Sequence, residues 1–137
     1  MKINELMVGD YCLAVDEDKK HKCIVSVLEL RYDKAWLKVG IWGETLPYDR
    51  LEPIELTERI LKENGFVYRE EEETCATDAF HHWQLDGHSF ALNSTQYFRK
   101  EKKDDMPRFD VAGIAIHYVH QLQHLLRLAG IEKEIEL

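Results

Sequence analysis

Apolar residues first recur with a period of two. Leu6-Met7-Val8-Gly9-Asp10 leads into Tyr11-Cys12-Leu13-Ala14-Val15, where Tyr11, Leu13 and Val15 alternate with smaller residues as on a half-buried strand. Asp16-Glu17-Asp18-Lys19-Lys20 is a charged turn. From Lys22 to Leu30, Val, Ile and Leu occupy both faces. Ala35 to Trp42 continues in the same manner after the short Arg31-Tyr32-Asp33-Lys34 connection. Strands joined by tight turns, with no helix among them, predict a small barrel or meander.

The pattern changes after Pro47 and Pro53. Leu56-Thr57-Glu58-Arg59-Ile60-Leu61 reads as a helix start, with Thr57 as N-cap and Leu56 and Leu61 placed for a hydrophobic staple. Gly65 supplies a left-handed stop and Phe66 an apolar residue that folds back, so the helix is about two turns long. Asp86-Gly87 then predicts a two-residue hairpin turn that pairs Leu85 with His88, Trp83 with Phe90 and His81 with Leu92. His81 and His88 would share the aromatic face, with His82 on the other side beside Gln84 and Ser89. Thr95 to Arg99 and Phe109 to Ile116 offer further strands around a polar loop containing Pro107, and Glu134-Ile135-Glu136-Leu137 alternates like a fraying edge strand.

The longest helical period runs from Ile116 to Gly130. At about 100° per residue, Tyr118, Val119, Leu122, Leu125, Leu126 and Ala129 share an apolar arc of about 120°. His117, His120 and His124 fall within about 60° of one another on the opposite side, so all three are expected to face away from the core. The predicted fold is α+β. An antiparallel β-meander or small barrel over residues 1–55 is followed by an α+β part over 56–137, in which a short helix, a second antiparallel sheet and a C-terminal helix packed on that sheet succeed one another.

Charge narrows the functional classes. Eighteen basic and 26 acidic residues give a net charge of −8, which repels phosphate backbones and disfavours nucleic acid as a partner. The densest basic run, Arg99-Lys100-Glu101-Lys102-Lys103, is interrupted by Glu101 and followed by Asp104-Asp105, so it reads as a solvated loop. The four glutamates from Glu70 to Glu73 likewise read as a solvated turn, because consecutive carboxylates on an extended chain cannot all face one ion. No apolar run approaches the about 20 residues that span a bilayer, and Met1-Lys2-Ile3-Asn4-Glu5 opens into polar sequence, so no membrane partner and a cytoplasmic location are expected. Cys12, Cys23 and Cys75 are widely spaced and lack a Cys-x-x-Cys pair. This suits reduced thiols, with Cys12 and Cys23 as small core residues and Cys75 undecided.

The opening Gly9-Asp10-Tyr11 resembles the start of many SH3-like barrels, a scaffold that hosts unrelated functions. Met1-Lys2-Ile3-Asn4-Glu5-Leu6 with Gly9-Asp10-Tyr11, the segment Glu52-Pro53-Ile54-Glu55-Leu56-Thr57 leading to Gly65-Phe66, and Tyr118-Val119-His120-Gln121-Leu122-Gln123 together resemble a family of small uncharacterised proteins. Its members are encoded in gut-bacterial genomes, often in prophages and other mobile elements. The resemblance covers most of the framework, and Tyr-Val-His-Gln-Leu-Gln is its most specific motif; it implies no established activity. In that family an Asn usually stands at the position of His124, and His117 lies outside the pattern. The resemblance therefore implies no metal site at these histidines.

On their own chemistry, His117, His120 and His124 could line one helical face, and the i,i+4 pair His120 and His124 could chelate zinc or nickel. His81, His82, Glu71 or Cys75 would have to complete an open zinc shell for hydrolysis. No carboxylate of the His-Glu-x-x-His kind accompanies the pair, and no serine or cysteine stands in a recognisable nucleophile setting. Two functions remain. The favoured one is a non-enzymatic binding or adaptor protein acting through the barrel or through the row His120, Gln121, His124 and Arg127, with a protein or small acidic ligand as partner and no cofactor. The alternative is a zinc-dependent hydrolase using the helix histidines. If that row faces solvent, lowering the pH from about 7.5 to about 5.5 charges it and alters binding more than folding.

Overall fold

The computed structural model describes residues 1–71, 80–94, 109–111 and 114–137. The expectations for Cys75, the 95–99 strand, the basic run and Pro107, together with Glu72, Glu73 and the side chains of Glu70, Glu71 and His81, lie outside the described residues; the expected glutamate turn is corrected at Glu70 and Glu71, whose backbone ends a strand paired with His81 and Phe80. In chain order the elements are β1 (Tyr11–Val15), β2 (Lys22–Leu30), β3 (Lys34–Val39), β4 (Trp42–Pro47), β5 (Leu51–Glu52), α1 (Glu58–Glu63), β6 (Phe66–Glu71), β7 (Phe80–Leu85), β8 (Ala91–Ser94), β9 (Phe109–Val111), β10 (Ile114–Ile116) and α2 (Val119–Leu128). Among the described residues they form an α+β fold with two antiparallel five-stranded sheets. The chain divides into two units, Met1–Glu55 with Tyr118–Glu132, and Leu56–His117 with Lys133–Leu137. α2, expected on the second sheet, belongs instead to the first unit, where it lies against β1.

The first sheet has the order β4-β3-β2-β1-β5. Four strands meander, and β5 returns to pair with β1 through Leu13↔Glu52 and Ala14↔Leu51. With β4 and β5 at opposite edges the sheet is not a closed barrel, so the meander is the form adopted. The run expected from Ala35 to Trp42 breaks at Gly40-Ile41, and Trp42 opens β4 opposite Val39.

The inner face collects Cys12, Ala14, Val25, Val27, Ala35, Leu37 and Leu51, with Leu6 packed against them. This corrects the phase expected for β1, whose half-buried Tyr11 and Leu13 lie on the other face. Alternation alone leaves either face free to turn inward. Val25, Val27, Leu37 and Leu51 already fill the interior, so the small Cys12 and Ala14 fit where Tyr11 would overpack. Cys23, opposite Ala14 near the start of β2, is exposed and not the core residue expected.

In the second unit α1 forms as its sequence dictates. Thr57 Oγ1 accepts the Ile60 amide at 3.3 Å, Leu56 and Leu61 are buried, and Gly65 ends the helix at φ +77° before buried Phe66. The sheet order is β10-β9-β8-β7-β6. Its hairpin is two residues longer than the Asp86-Gly87 turn implied, because Leu85 N–H donates to Phe90 O and Trp83 pairs with Leu92. A slip of two preserves the faces, so Trp83, Leu85 and Leu92 still share the buried side. His88, however, falls in the exposed loop and not on the aromatic face.

The tail is no strand. Ile135 is buried, and the Asn64 side chain stands in for a neighbouring strand, donating from Nδ2 to Glu136 O and accepting the Glu136 amide at Oδ1, both at 2.8 Å. Among the described residues no helix is long and apolar enough to cross a membrane.

Candidate functional site

The most polar part of the first unit's interior lies where α2 meets the start of β1. Tyr118 caps α2: its amide donates to Gln121 Oε1 at 3.2 Å, and Val119 N–H donates to Ile54 O at 2.9 Å. Helical geometry therefore starts after His117, whose carbonyl accepts the Leu56 amide at 2.8 Å. Val119, His120, Leu122, Gln123 and Leu126 are the buried residues of the helix. Relative to the arc that apolar residues alone define, the buried face is rotated by roughly 70° toward His120 and Gln123.

Polar contacts made by no apolar pattern cause that rotation. The Gln123 amide accepts Tyr11 N–H at 3.0 Å and donates to Gly9 O at 3.2 Å, acting as a partner for backbone that no strand serves. Asp10, completely buried, holds the helix beside it. Its Oδ2 accepts the Met7 amide at 2.7 Å and lies 2.7 Å from His124 Nε2, and its Oδ1 accepts from Arg127 Nη1 at 2.9 Å. Gly9 has φ +88°, a conformation that favours glycine, and a Cβ there would lie 3.0 Å from Arg127 Nη2 and crowd the guanidinium. The Gly-Asp-Tyr opening and the Gln123, His124 and Arg127 positions are thus two halves of one clamp.

This corrects the outward placement of the helix histidines. His120 is 3% exposed, stacks on the Tyr118 ring at 5.7 Å and meets the His124 ring edge-on at 5.8 Å. Its Nδ1 is buried with no hydrogen-bond partner among the described residues. Burial holds its pKa below the ordinary histidine value; the Asp10 and Glu5 charges oppose the shift, and His124 adds to it. His124 and Arg127 are held by Asp10, and half-buried Gln121 belongs to the helix cap, so the expected recognition row is engaged inside its own unit. Beside His120 a cleft of about 280 Å³ opens, lined by Met1, Glu5, Pro53, Tyr118, His120 and Gln121.

Cys12 feels the Asp10 charge, but burial, and then that charge, push its thiol up to about 12, so it is protonated and no nucleophile at neutral pH. Each Asp10 oxygen already accepts from a neighbouring donor. Among the described residues no group of three or more His, Cys, Asp or Glu is placed to hold a metal ion. His117, His120 and His124 do not converge as a ligand set, and half-buried His82 on β7 faces Asn93 and Arg69.

Sequence periodicity missed Asp10 and Gln123, the two residues that turn the helix. One signal was available: an acid at a strand start, together with polar residues at i, i+1 and i+4 on the principal helix. Comparison with protein-family models, curated proteins and solved structures finds no match.

Proposed function

We propose that this protein is a non-enzymatic binding or adaptor module, and that its partner segment adds to the free edge of β4. The observation that carries the reading is the exposed apolar surface of the first sheet. Ile41 is 88% and Trp42 74% exposed, Tyr32 is 97% exposed in the preceding turn, and Ile24, Leu28 and Trp36 are also open to solvent. β4 lies at the edge of its sheet, and every residue in it but half-buried Leu46 is exposed. Edge strands are commonly protected by charge, yet β4 carries only Glu44.

An extended segment laid along β4 would gain main-chain hydrogen bonds from the edge and side-chain contacts from Trp42. Trp36 offers a firm platform on the adjoining face. Its indole lies over Gly43, where a Cβ would stand 2.5 Å from Nε1, and the Arg31 guanidinium lies 5.9 Å from its ring centroid. The Asp10 clamp serves this function only indirectly, by fixing α2 to the sheet. A cytoplasmic setting and a mobile-element origin belong to the same reading, supported by the free thiols of Cys12 and Cys23 and by the resemblance of the framework. No specific observation favours the zinc-hydrolase alternative.

The test is selection of random displayed peptides on the full chain, followed by amide hydrogen exchange of the complex. Expected are extended peptides that slow exchange along β4 and bind Trp42→Ala at least about tenfold more weakly. Protection confined to other elements, undiminished binding to Trp42→Ala, or failure to select any peptide overturns the proposal.

A further inference from the structure

We propose that the partner segment laid along β4 carries an acidic side chain, Asp or Glu, at the position beside Gly43. This deepens the β4 reading and rests on it. Gly40-Ile41 is a two-residue turn, so Val39 and Trp42 close the hairpin as a hydrogen-bonded pair, and bonding toward β3 then alternates along the strand. The N–H and C=O groups of Gly43 and Thr45 therefore point to the free edge. Pro47 falls in the same phase, where its missing N–H breaks no bond to β3, and it ends the stretch that can exchange bonds in both directions. Whichever way the segment runs, its residue beside Gly43 projects from the same face as Gly43.

That face supplies the charge. Lys38 lies directly across from Gly43 in the β3–β4 register, is exposed, and has no hydrogen bond or ion pair among the described residues. Gly43 has no side chain, so nothing in β4 stands between Lys38 and the segment. A strand spacing of about 4.8 Å puts the segment about 10 Å from β3, a span that a Lys and a Glu side chain bridge together. The Trp36 indole also reaches over Gly43, where a Cβ would stand 2.5 Å from its Nε1, a donor with no acceptor among the described residues. An ammonium and an indole N–H offered at one place favour a carboxylate, which accepts from both. The neighbouring carboxylates do not cancel this charge. Glu44, opposite buried Leu37, projects from the other face, where it lines a cleft with Leu46 and Arg50. Glu29 is held by Arg31 at 3.0 Å. Asp33 lies five residues before Lys38, about 16 Å along the chain and beyond the screening length of about 8 Å at physiological salt. The same screening weakens the chain's net charge of −8 at this contact, so the nearest groups decide it.

The experiment is selection from one random displayed peptide library on three full-length proteins in parallel, the parent, Lys38→Glu and Glu44→Gln, with the peptide residue beside Gly43 located by Overhauser contacts to the glycine Hα protons. Peptides selected on the parent are expected to carry Asp or Glu there, and changing that residue to its amide should weaken binding at least about tenfold, the loss of one charge-assisted contact. Lys38→Glu should weaken the same peptides by at least about tenfold and select Lys or Arg at that position instead, with its urea midpoint unchanged because Lys38 is exposed. Glu44→Gln, on the other face, should leave the preference as it is. Peptides that slow amide exchange along β4 without an acid beside Gly43, or whose preference survives Lys38→Glu or changes with Glu44→Gln, overturn this inference and leave the β4 reading standing. Failure of every peptide to protect β4 overturns both.

Discussion

Replacing Asp10 with Asn keeps size and shape while removing the charge, and the clamp geometry sets the penalty. Three donors converge on two oxygens: Met7 N–H and His124 Nε2 at Oδ2, and Arg127 Nη1 at Oδ1. An amide has one oxygen. Set at the Oδ2 position, it leaves its NH₂ facing the Arg127 guanidinium; set at Oδ1, it turns its NH₂ on the Met7 amide. Either orientation sets its NH₂ against at least one donor in a completely buried place and leaves Arg127 without a counter-charge. Breaking one side of a buried pair costs about 3 to 5 kcal/mol. The Arg127 side chain is 39% exposed and recovers part of its hydration, so we expect a loss of about 2 to 4 kcal/mol. With a urea slope of about 2 kcal/mol/M, the midpoint followed by far-ultraviolet circular dichroism should fall by about 1 to 2 M. A double-mutant cycle of Asp10→Asn with Arg127→Met should give a coupling of about 1 kcal/mol or more. A loss below about 1 kcal/mol together with zero coupling would show that Gln123 and the apolar residues hold α2 without Asp10.

Leu126→Ala, in the buried stripe of α2, should destabilise by about 2 to 5 kcal/mol in the same denaturation assay, with Leu128→Ala as an exposed control that changes little. Asn64→Ala removes bonds to Ile60 O, Glu136 O and the Glu136 amide; it should cost about 1 to 3 kcal/mol and speed amide exchange in the last five residues. Because the folded pKa of His120 is lowered, the unfolded chain binds more protons as pH drops below the ordinary histidine value of about 6.5. This contribution to stability is complete above that value and is lost as the pH falls toward the folded one. His120→Gln should flatten the fall in urea midpoint between about pH 7 and pH 5; an unchanged slope would assign it to other groups. The expectation that acidification alters binding more than folding is thereby reversed for His120, which is buried. In a Cys75→Ser background, a thiol reagent at neutral pH should label Cys23 in the folded protein and Cys12 only after unfolding.

Some local signals determined the structure by themselves, although the local Asp86-Gly87 turn signal did not fix its hairpin register. Thr57, the Leu56–Leu61 staple and Gly65 specify α1 through contacts within one or two turns, and Lys22 to Leu30 specifies β2 through side-chain shape alone. Tertiary structure decided the features that depend on a distant partner. Alternation marks β1 as a strand but does not say which face turns inward; the bulk of Val25, Val27, Leu37 and Leu51 chose Cys12 and Ala14. Apolar periodicity marks α2 as a helix, but residues more than 110 positions away set its rotation, since the Tyr11 amide draws Gln123 inward and Asp10 draws His124 and Arg127. A buried polar group is stable only where its partner is, and a partner so far off in sequence leaves no periodic trace. For that reason the histidine row that periodicity turns toward solvent is, in three dimensions, drawn against the interior at His120 and His124.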